Sequence, residues 1–522
     1  MASIVRNTAY LTVAKTLNVA IYALLGLVLP RFVSTETNGV YSLVSNLLFF
    51  GSVASSFGIP IVFVRSVALD RTRARTLFVD ARTAMGAGAL LAGALMVVYV
   101  MVEMSYQGGW EPLRLHLVLM ATGILFADAL GTVGESLFQA YEEMEVPAIA
   151  ETITGVFRGG GAVLALWWLG ADEAARGTDP LAGRAALYGV FAVFLAGSLV
   201  RGVLIPELAR RRYFADRSEP LPRPSFRRAW ALLRECFGVA LFRMLRMIRN
   251  RIDVQLLGIL IVPVAGLGLM ETADDARGLY AQAFRVVIVF HTLTMAVNTA
   301  IFPRIARLSD PGGPVAELRA QFFRVVRHQA WWAAPLAAVT FVYADHVAGW
   351  FGAEYRDGIP GLGSSTDVLR LLAISMVLDA VGGPVGMVLL GQPSMNRFLP
   401  WFGGALAAVS VVLNFWLIPR YGILGAAYAS VGASVIEFIA KALLTQRFLG
   451  RSLPLLTRSA PAVGLAVLFG YALEIGPLAE RPLLGGSVAA VAWLVVTPLL
   501  RIADPALARG VRRKLRLGPR GG

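Results

Sequence analysis

Arg243, Arg246, Arg249, Asn250 and Asp253 recur at helical spacing inside an apolar stretch, roughly 237–262. At about 100° per residue they share one face of a helix. Guanidinium groups are costly to place in a bilayer core, so intramembrane cations face a polar pathway or a ligand of opposite charge. One carboxylate does not neutralise three guanidinium groups, and guanidinium is suited to bidentate contact with phosphate oxygens. The stripe therefore reads as an anion-binding face. Arg249 and Asp253 also have the i, i+4 spacing of an internal salt bridge, with Arg243 and Arg246 snorkelling toward the headgroups. Lys15, Arg158 and Arg285 are candidate companions of the stripe or headgroup-level anchors, and the polar Asn18 and Asn46 are candidate lining residues. Asp128 and Asp379 are candidate ion-coupling residues, with Glu135 and Glu437 as further intramembrane carboxylates, because buried carboxylates can exchange protons or ions in transporters; such groups also cross-link helices.

Other chemistry is absent from the residue pattern. Lys15, Lys441 and Lys514 are the only lysines, so there is no phosphate-binding loop of the G-x-x-x-x-G-K type. His116, His291, His328 and His346 are scattered without metal-ligand spacing, and no nucleophile-elbow motif occurs. Neither a catalytic centre, a metal nor a cofactor is expected. With Cys236 as the sole cysteine, an intrachain disulfide is impossible.

These residues are positioned by a membrane framework. The 522 residues are 57% hydrophobic and 16% charged, with a mean hydropathy of +0.66. Apolar blocks of about 20 residues recur throughout, which predicts an all-α polytopic protein of about fourteen spans, from 8–29 to 483–500. The weak start of the chain reads as a retained signal-anchor. The formal net charge is +15, but the arginines cluster in alternate loops and the C-terminal tail. That distribution predicts cytoplasmic termini and contact with anionic lipids, with no role for nucleic acid. One short loop on the arginine-rich side, 139–146, is acidic and departs from this trend.

The chain repeats itself. Gly39, Val40 and Tyr41, with Phe63 and Arg65, are echoed at the same spacing by Gly278, Leu279 and Tyr280, with Phe302 and Arg304; Asp128, Ala129 and Gly131 are echoed by Asp379, Ala380 and Gly382. Equivalent elements six spans apart describe a parallel repeat about an axis along the membrane normal. The expected organisation is a six-helix lobe over 1–206, a cytoplasmic linker over 207–234, a second six-helix lobe over 235–446, and two extra helices with a basic tail over 447–522, the lobes surrounding a central cavity.

Several strings carry a resemblance: LPRFVSTETNGVYSLVSNLLFFGSVASSFGIPIVFVRSVAL, NRIDVQLLGIL, RGLYAQAFRVV, IFPRIARL, WFGAEYRDG, VLRLLAISMVLDAVGGPVGMVLLGQPS and LNFWLIPRYGILGAAYAS. Over most of 8–444 the chain resembles the polysaccharide-biosynthesis (Wzx-type) flippases of the multidrug, oligosaccharidyl-lipid and polysaccharide exporter superfamily. The resemblance implies a non-enzymatic flippase of the bacterial cytoplasmic membrane, acting by alternating access through a cationic cavity. Its expected cargo is a polyprenyl-pyrophosphate-linked oligosaccharide for O-antigen, exopolysaccharide or a related polymer, with a polymerase or chain-length regulator as a partner. It also places Asp253 at the family's Asp after the arginine-bearing stretch of span seven. A lipid II flippase and a multidrug cation exporter of the same superfamily are the alternatives; a membrane glycosyltransferase would need longer outside loops.

Overall fold

A computed structural model describes residues 17–18, 20–170, 180–214, 221–264, 267–309, 314–390, 392, 395, 398–449, 454–476, 478 and 480–499. Almost all of it is helix, with one isolated antiparallel bridge, Ile359 to Gly363, and no strand among the described residues. The chain forms two compact units, Met1–Gln282 and Ala283–Gly522.

The first unit contains α1 (Ala20–Arg31), α2 (Thr35–Ser56), α3 (Ile59–Leu69), α4 (Ala74–Tyr106), α5 (Pro112–Ala140), α6 (Glu145–Leu169), α7 (Pro180–Tyr213), α8 (Phe226–Leu260) and the start of α9 (Leu269–Leu308). Local chemistry sets the boundaries. Ser34 caps α2 by accepting a hydrogen bond from the Thr37 N–H at 3.2 Å. Phe57 (φ 43°) and Gly58 (φ 73°) then take left-handed conformations that end α2 and redirect the chain, and Pro60 occupies the first turn of α3. Within this unit α5 packs on α4 and α7, and α2 joins α4 and α5. Leu43, Phe63, Phe78, Leu117, Phe138 and Phe191 are fully buried in the resulting core. The division between units falls inside α9, downstream of the 207–234 stretch expected to separate two lobes. The physical reason is that α8 packs on α2, α3 and α4.

The second unit contains the rest of α9, α10 (Val315–Val342), the short α11 (Ala344–Gly349) and α12 (Ala353–Asp357), α13 (Ser365–Leu390), α14 (Leu399–Leu449), α15 (Pro454–Ile475) and α16 (Pro482–Leu499). Here α13 packs on α10 and α14, and α10 on α15. Phe322, Phe323, Val326, Val385, Val388 and Trp493 form the main core. The predicted spans 398–418 and 422–444 both lie in α14, which bends at Gly422 (φ 56°, ψ −131°), a conformation open to glycine, three residues after Pro419.

Among the described residues, seven helical stretches are long and apolar enough to cross a membrane, the kinked α2–α3 and α14 each counted once. The long helices α8 and α9 carry more charge along their length. The acidic 139–146 loop has a local solution. Glu143 accepts from Arg212 at the end of α7 at 2.9 and 3.1 Å, and these bonds hold its carboxyl below the usual glutamate range.

Candidate functional site

The arginine stripe lies on α8, a helix fixed to its neighbours at several heights. Near its start, Arg228 donates to Asp80 of α4 at 3.0 Å. Further along, the Asn46 amide of α2 donates to the Arg251 carbonyl at 3.0 Å, and the Arg251 guanidinium lies 5.1 Å from the Phe49 ring centroid. Asp253 is buried, and its carboxylate accepts from the Tyr280 hydroxyl of α9 and from the Val254 N–H at 2.9 Å. The arginines are more open. Arg246 is exposed, while Arg243 and Arg249 are half-buried. Arg243 reaches the Ser56 hydroxyl of α2 at 3.5 Å, and Arg249 donates to the Asn250 side chain at 2.9 Å. The predicted face thus divides into an inward carboxylate, engaged with the next helix, and guanidinium groups at or near the surface of the unit.

Other predicted residues sit in different surroundings. Arg158 of α6 donates to Asp128 of α5 at 2.5 and 3.2 Å and to Ser198 of α7 at 2.5 Å. Arg201 of α7 bridges Asp128 at 3.1 Å and Glu135 at 2.8 Å. Two guanidinium groups therefore face two carboxylates, and this cluster ties α5, α6 and α7 together. Asn18 donates to the Glu151 carbonyl of α6 at 3.1 Å, against Gly155, which leaves room for its side-chain oxygen. Lys15 lies outside the described residues. In the second unit, Arg285 is half-buried on α9, Asp379 of α13 pairs with His291 of α9 at 3.2 Å, and Glu437 pairs with Lys441 one turn later on α14.

A buried network escaped the sequence reading. Arg114 of α5 and Arg277 of α9 are fully buried. Arg114 donates to Glu111 at 3.1 Å, to Gln107 at 2.7 Å and to Asp274. Arg277 donates to Glu103 of α4, to Asp274 at 3.4 Å and to the Val254 carbonyl of α8 at 3.2 Å. Gln107 also donates to the Gly258 carbonyl at 2.9 Å. Ions this far from water need both opposite charge and hydrogen bonds, and here α4, α5, α8 and α9 all contribute. The available signal was local: Glu111 with Arg114, and Asp274 with Arg277, are i, i+3 pairs near helix starts.

Beside this network α2 and α9 cross at the two repeat-equivalent glycines. A Cβ on Gly39 would overlap the Asp274 carbonyl, and one on Gly278 would overlap the Thr35 carbonyl. The Asn38 amide donates to the Gly278 carbonyl at 3.2 Å, and the Thr35 hydroxyl donates to Asp275. Small residues permit this backbone approach, and the polar side chains fasten it.

A polysaccharide biosynthesis protein family model matches residues 4–309 of the chain, a span that includes the stripe, the network and the glycine crossing. No curated protein sequence matches. Among solved structures, the fold is similar to that of a lipid II flippase, MurJ, in an inward closed conformation, with a TM-score of 0.69 at 10% identity over 94% of this chain and 98% of that one. It is also similar to an inward-facing multidrug resistance MATE family transporter of the MOP superfamily, with a TM-score of 0.57 at 13% identity over 85% and 98% of the two chains. For the MATE transporter VcmN of Vibrio cholerae the TM-score is 0.53 at 15% identity over 87% and 99%. At such identities the likeness describes fold, and substrate has to be argued from the site.

The network and the crossing generate a stability prediction. Arg277→Met leaves Glu103 and Asp274 buried with less compensation and is expected to destabilise the protein by about 3–5 kcal/mol. Gly39→Ala is expected to cost about 1–3 kcal/mol through overpacking. Gly160→Ala, whose added Cβ meets nothing within 4 Å, should stay within about 1 kcal/mol of the parent. Denaturant unfolding of the purified proteins in detergent measures all three. Parent-like stability of Arg277→Met would show that the buried ions contribute nothing to holding these helices.

Proposed function

This chain belongs to the polysaccharide biosynthesis protein family, and we propose on that premise that it is a flippase carrying a polyprenyl-pyrophosphate-linked oligosaccharide across the cytoplasmic membrane for cell-surface polysaccharide assembly. The observation that supports this reading is the asymmetry of the α8 face. Its carboxylate, Asp253, is buried on a hydroxyl and a backbone amide, whereas Arg243, Arg246 and Arg249 are half-buried or exposed. Such a face offers positive charge to an anion from outside the helix pair.

The physical problem is the headgroup. A diphosphate does not cross hydrocarbon unaided, while its polyprenyl tail can remain in lipid throughout. Guanidinium groups replace the water lost by the phosphate oxygens, with charge-assisted and bidentate contacts. No covalent bond forms or breaks. The α8 face is exposed alternately to the two sides of the membrane. The arginine-rich loops and both termini face the cytoplasm, against anionic lipids, and the released glycan passes to a polymerase or chain-length regulator.

Equilibrium binding to the purified protein in nanodiscs tests the site, with a polyprenyl diphosphate bearing a short oligosaccharide as the probe. Each charge-assisted contact contributes about 1.5–3 kcal/mol, so Arg→Ala at position 243, 246 or 249 should weaken binding about tenfold or more. Lys at the same position should restore only part of the loss, because a point charge lacks the planar fork. Parent-like affinity in all three Ala variants would move the anion site elsewhere. Stronger binding of lipid II, or of a cationic drug, would favour the corresponding alternative cargo.

Orientation has a separate check. Cys236 is the only cysteine and is buried. In a Cys236→Ser background, Arg211→Cys should be labelled from the cytoplasmic side and Trp110→Cys from the opposite side. Reversed labelling would invert the assignment.

A further inference from the structure

Polar atoms in the outer half of α8 are left unmet by the helices around them. Gln255 of α8 and Asn46 of α2 are 5% and 4% exposed. The Oε1 and Nε2 of Gln255 and the Oδ1 of Asn46 are buried and have no hydrogen-bond partner among the described residues. Their surroundings are apolar, with Val254, Leu256 and Leu257 all buried beside Gln255. Unmet polar atoms are costly in any protein interior, and a bilayer core offers no solvent to relieve them.

The three atoms belong to one place. The Asn46 amide donates to the Arg251 carbonyl at 3.0 Å, and within the helix that carbonyl also accepts the Gln255 N–H. A helical side chain leans toward the N-terminal end of its own helix, so Gln255 extends back along α8 toward Asn46. On the other side, the Tyr99 hydroxyl of α4 donates to the Gln255 carbonyl at 3.5 Å. Gln255 thus occupies the seam where α8 packs on α2 and α4, all within the first unit. Chemistry then selects the occupant. Two amide oxygens require donors and the Nε2 requires an acceptor. A metal cation would meet the oxygens but repel the Nε2 hydrogens, and positive charge is already close: Arg251 is one turn before Gln255, and Arg277 donates to the Val254 carbonyl at 3.2 Å. An anion would meet only the Nε2. Water donates twice and accepts twice, which matches the set.

We infer that Asn46 and Gln255 hold an internal water molecule that bridges α2 to α8. The water accepts from the Gln255 Nε2, donates one hydrogen to the Oε1 of the same amide, and donates the other to the Asn46 Oδ1. These three bonds are the usual number for a buried water. The bridge fastens the helix that carries Arg243, Arg246 and Arg249 to its neighbour, and it does so in the outer half of α8, beyond the Arg243 contact with Ser56. The inference stands apart from the flippase reading, because it needs only the seam and its unmet atoms.

Two measurements test the water and its role. Proton-detected solid-state NMR of the full chain in lipid, with glutamine labelled at the side-chain nitrogen, resolves the Gln255 amide as the signal lost in Gln255→Met. If that variant does not fold, Gln255→Asn identifies the same signal by its loss. Magnetisation should pass directly from water to the Gln255 amide in the parent, and the transfer should fall in Asn46→Leu, which removes one of the three bonds. A Gln255 amide that receives nothing from water, or receives magnetisation from a protein side chain alone, overturns the site. Thermal unfolding in detergent reads the role. Gln255→Met keeps the length of the side chain but strands the water, and it should lower the unfolding midpoint by a few degrees. An unchanged or raised midpoint is the result expected when an unmet amide is replaced by an apolar group, and it overturns the bridge as a fastening.

Discussion

Charge removed from water must be matched nearby or given a ligand, and the helices of this protein meet that requirement in distinct ways. Arg114 and Arg277 are matched by carboxylates, an amide and a backbone carbonyl brought together by four helices. Arg158 and Arg201 are matched by Asp128 and Glu135. Both arrangements fix helices, because removing one partner leaves a buried ion whose desolvation is no longer offset. Against that background the α8 face is unusual. Its acid is turned inward to Tyr280, and Arg246 remains exposed. This outward-facing positive charge is the surface proposed above for the cargo.

The crossing of α2 and α9 shows how closely such charge has to be coordinated with packing. Gly39 and Gly278 let the two backbones meet, and this approach brings Asp274 into reach of Arg114 on α5. The same segment of α9 carries Tyr280, which engages Asp253. Packing at the glycines, the ion network and the orientation of the α8 face are consequently parts of one arrangement. Substitution at a glycine with no chemistry of its own would displace groups on α4, α5 and α8.

Much of the architecture was legible because it depends on short-range pattern. Apolar runs of about 20 residues dictate membrane helices, and the spacing of Arg243, Arg246 and Arg249 placed them on one face of what is α8. Pairings between helices were not legible in the same way. Asp253 had an apparent partner at i−4, yet the hydroxyl it accepts from belongs to α9. Arg158 read equally well as a cavity cation or a headgroup anchor, and only the approach of α5 and α7 reveals Asp128 and Ser198 beside it. His291 was passed over for lacking metal-ligand spacing, since nothing local announces a carboxylate on α13. The buried network was hidden by position: Glu103 near the end of α4, Glu111 just before α5 and Asp274 near the start of α9 are all turned inward.

The central claim is that the α8 arginines carry an anionic headgroup across the membrane, and transport itself tests it most directly. The measurement is the rate of leaflet exchange of a fluorescent polyprenyl diphosphate in vesicles containing either the parent or a variant with Arg243, Arg246 and Arg249 all changed to Gln, each shown to be folded. The account predicts rapid exchange with the parent and a rate at the protein-free background with the variant. Exchange by the variant at the parent's rate would contradict it.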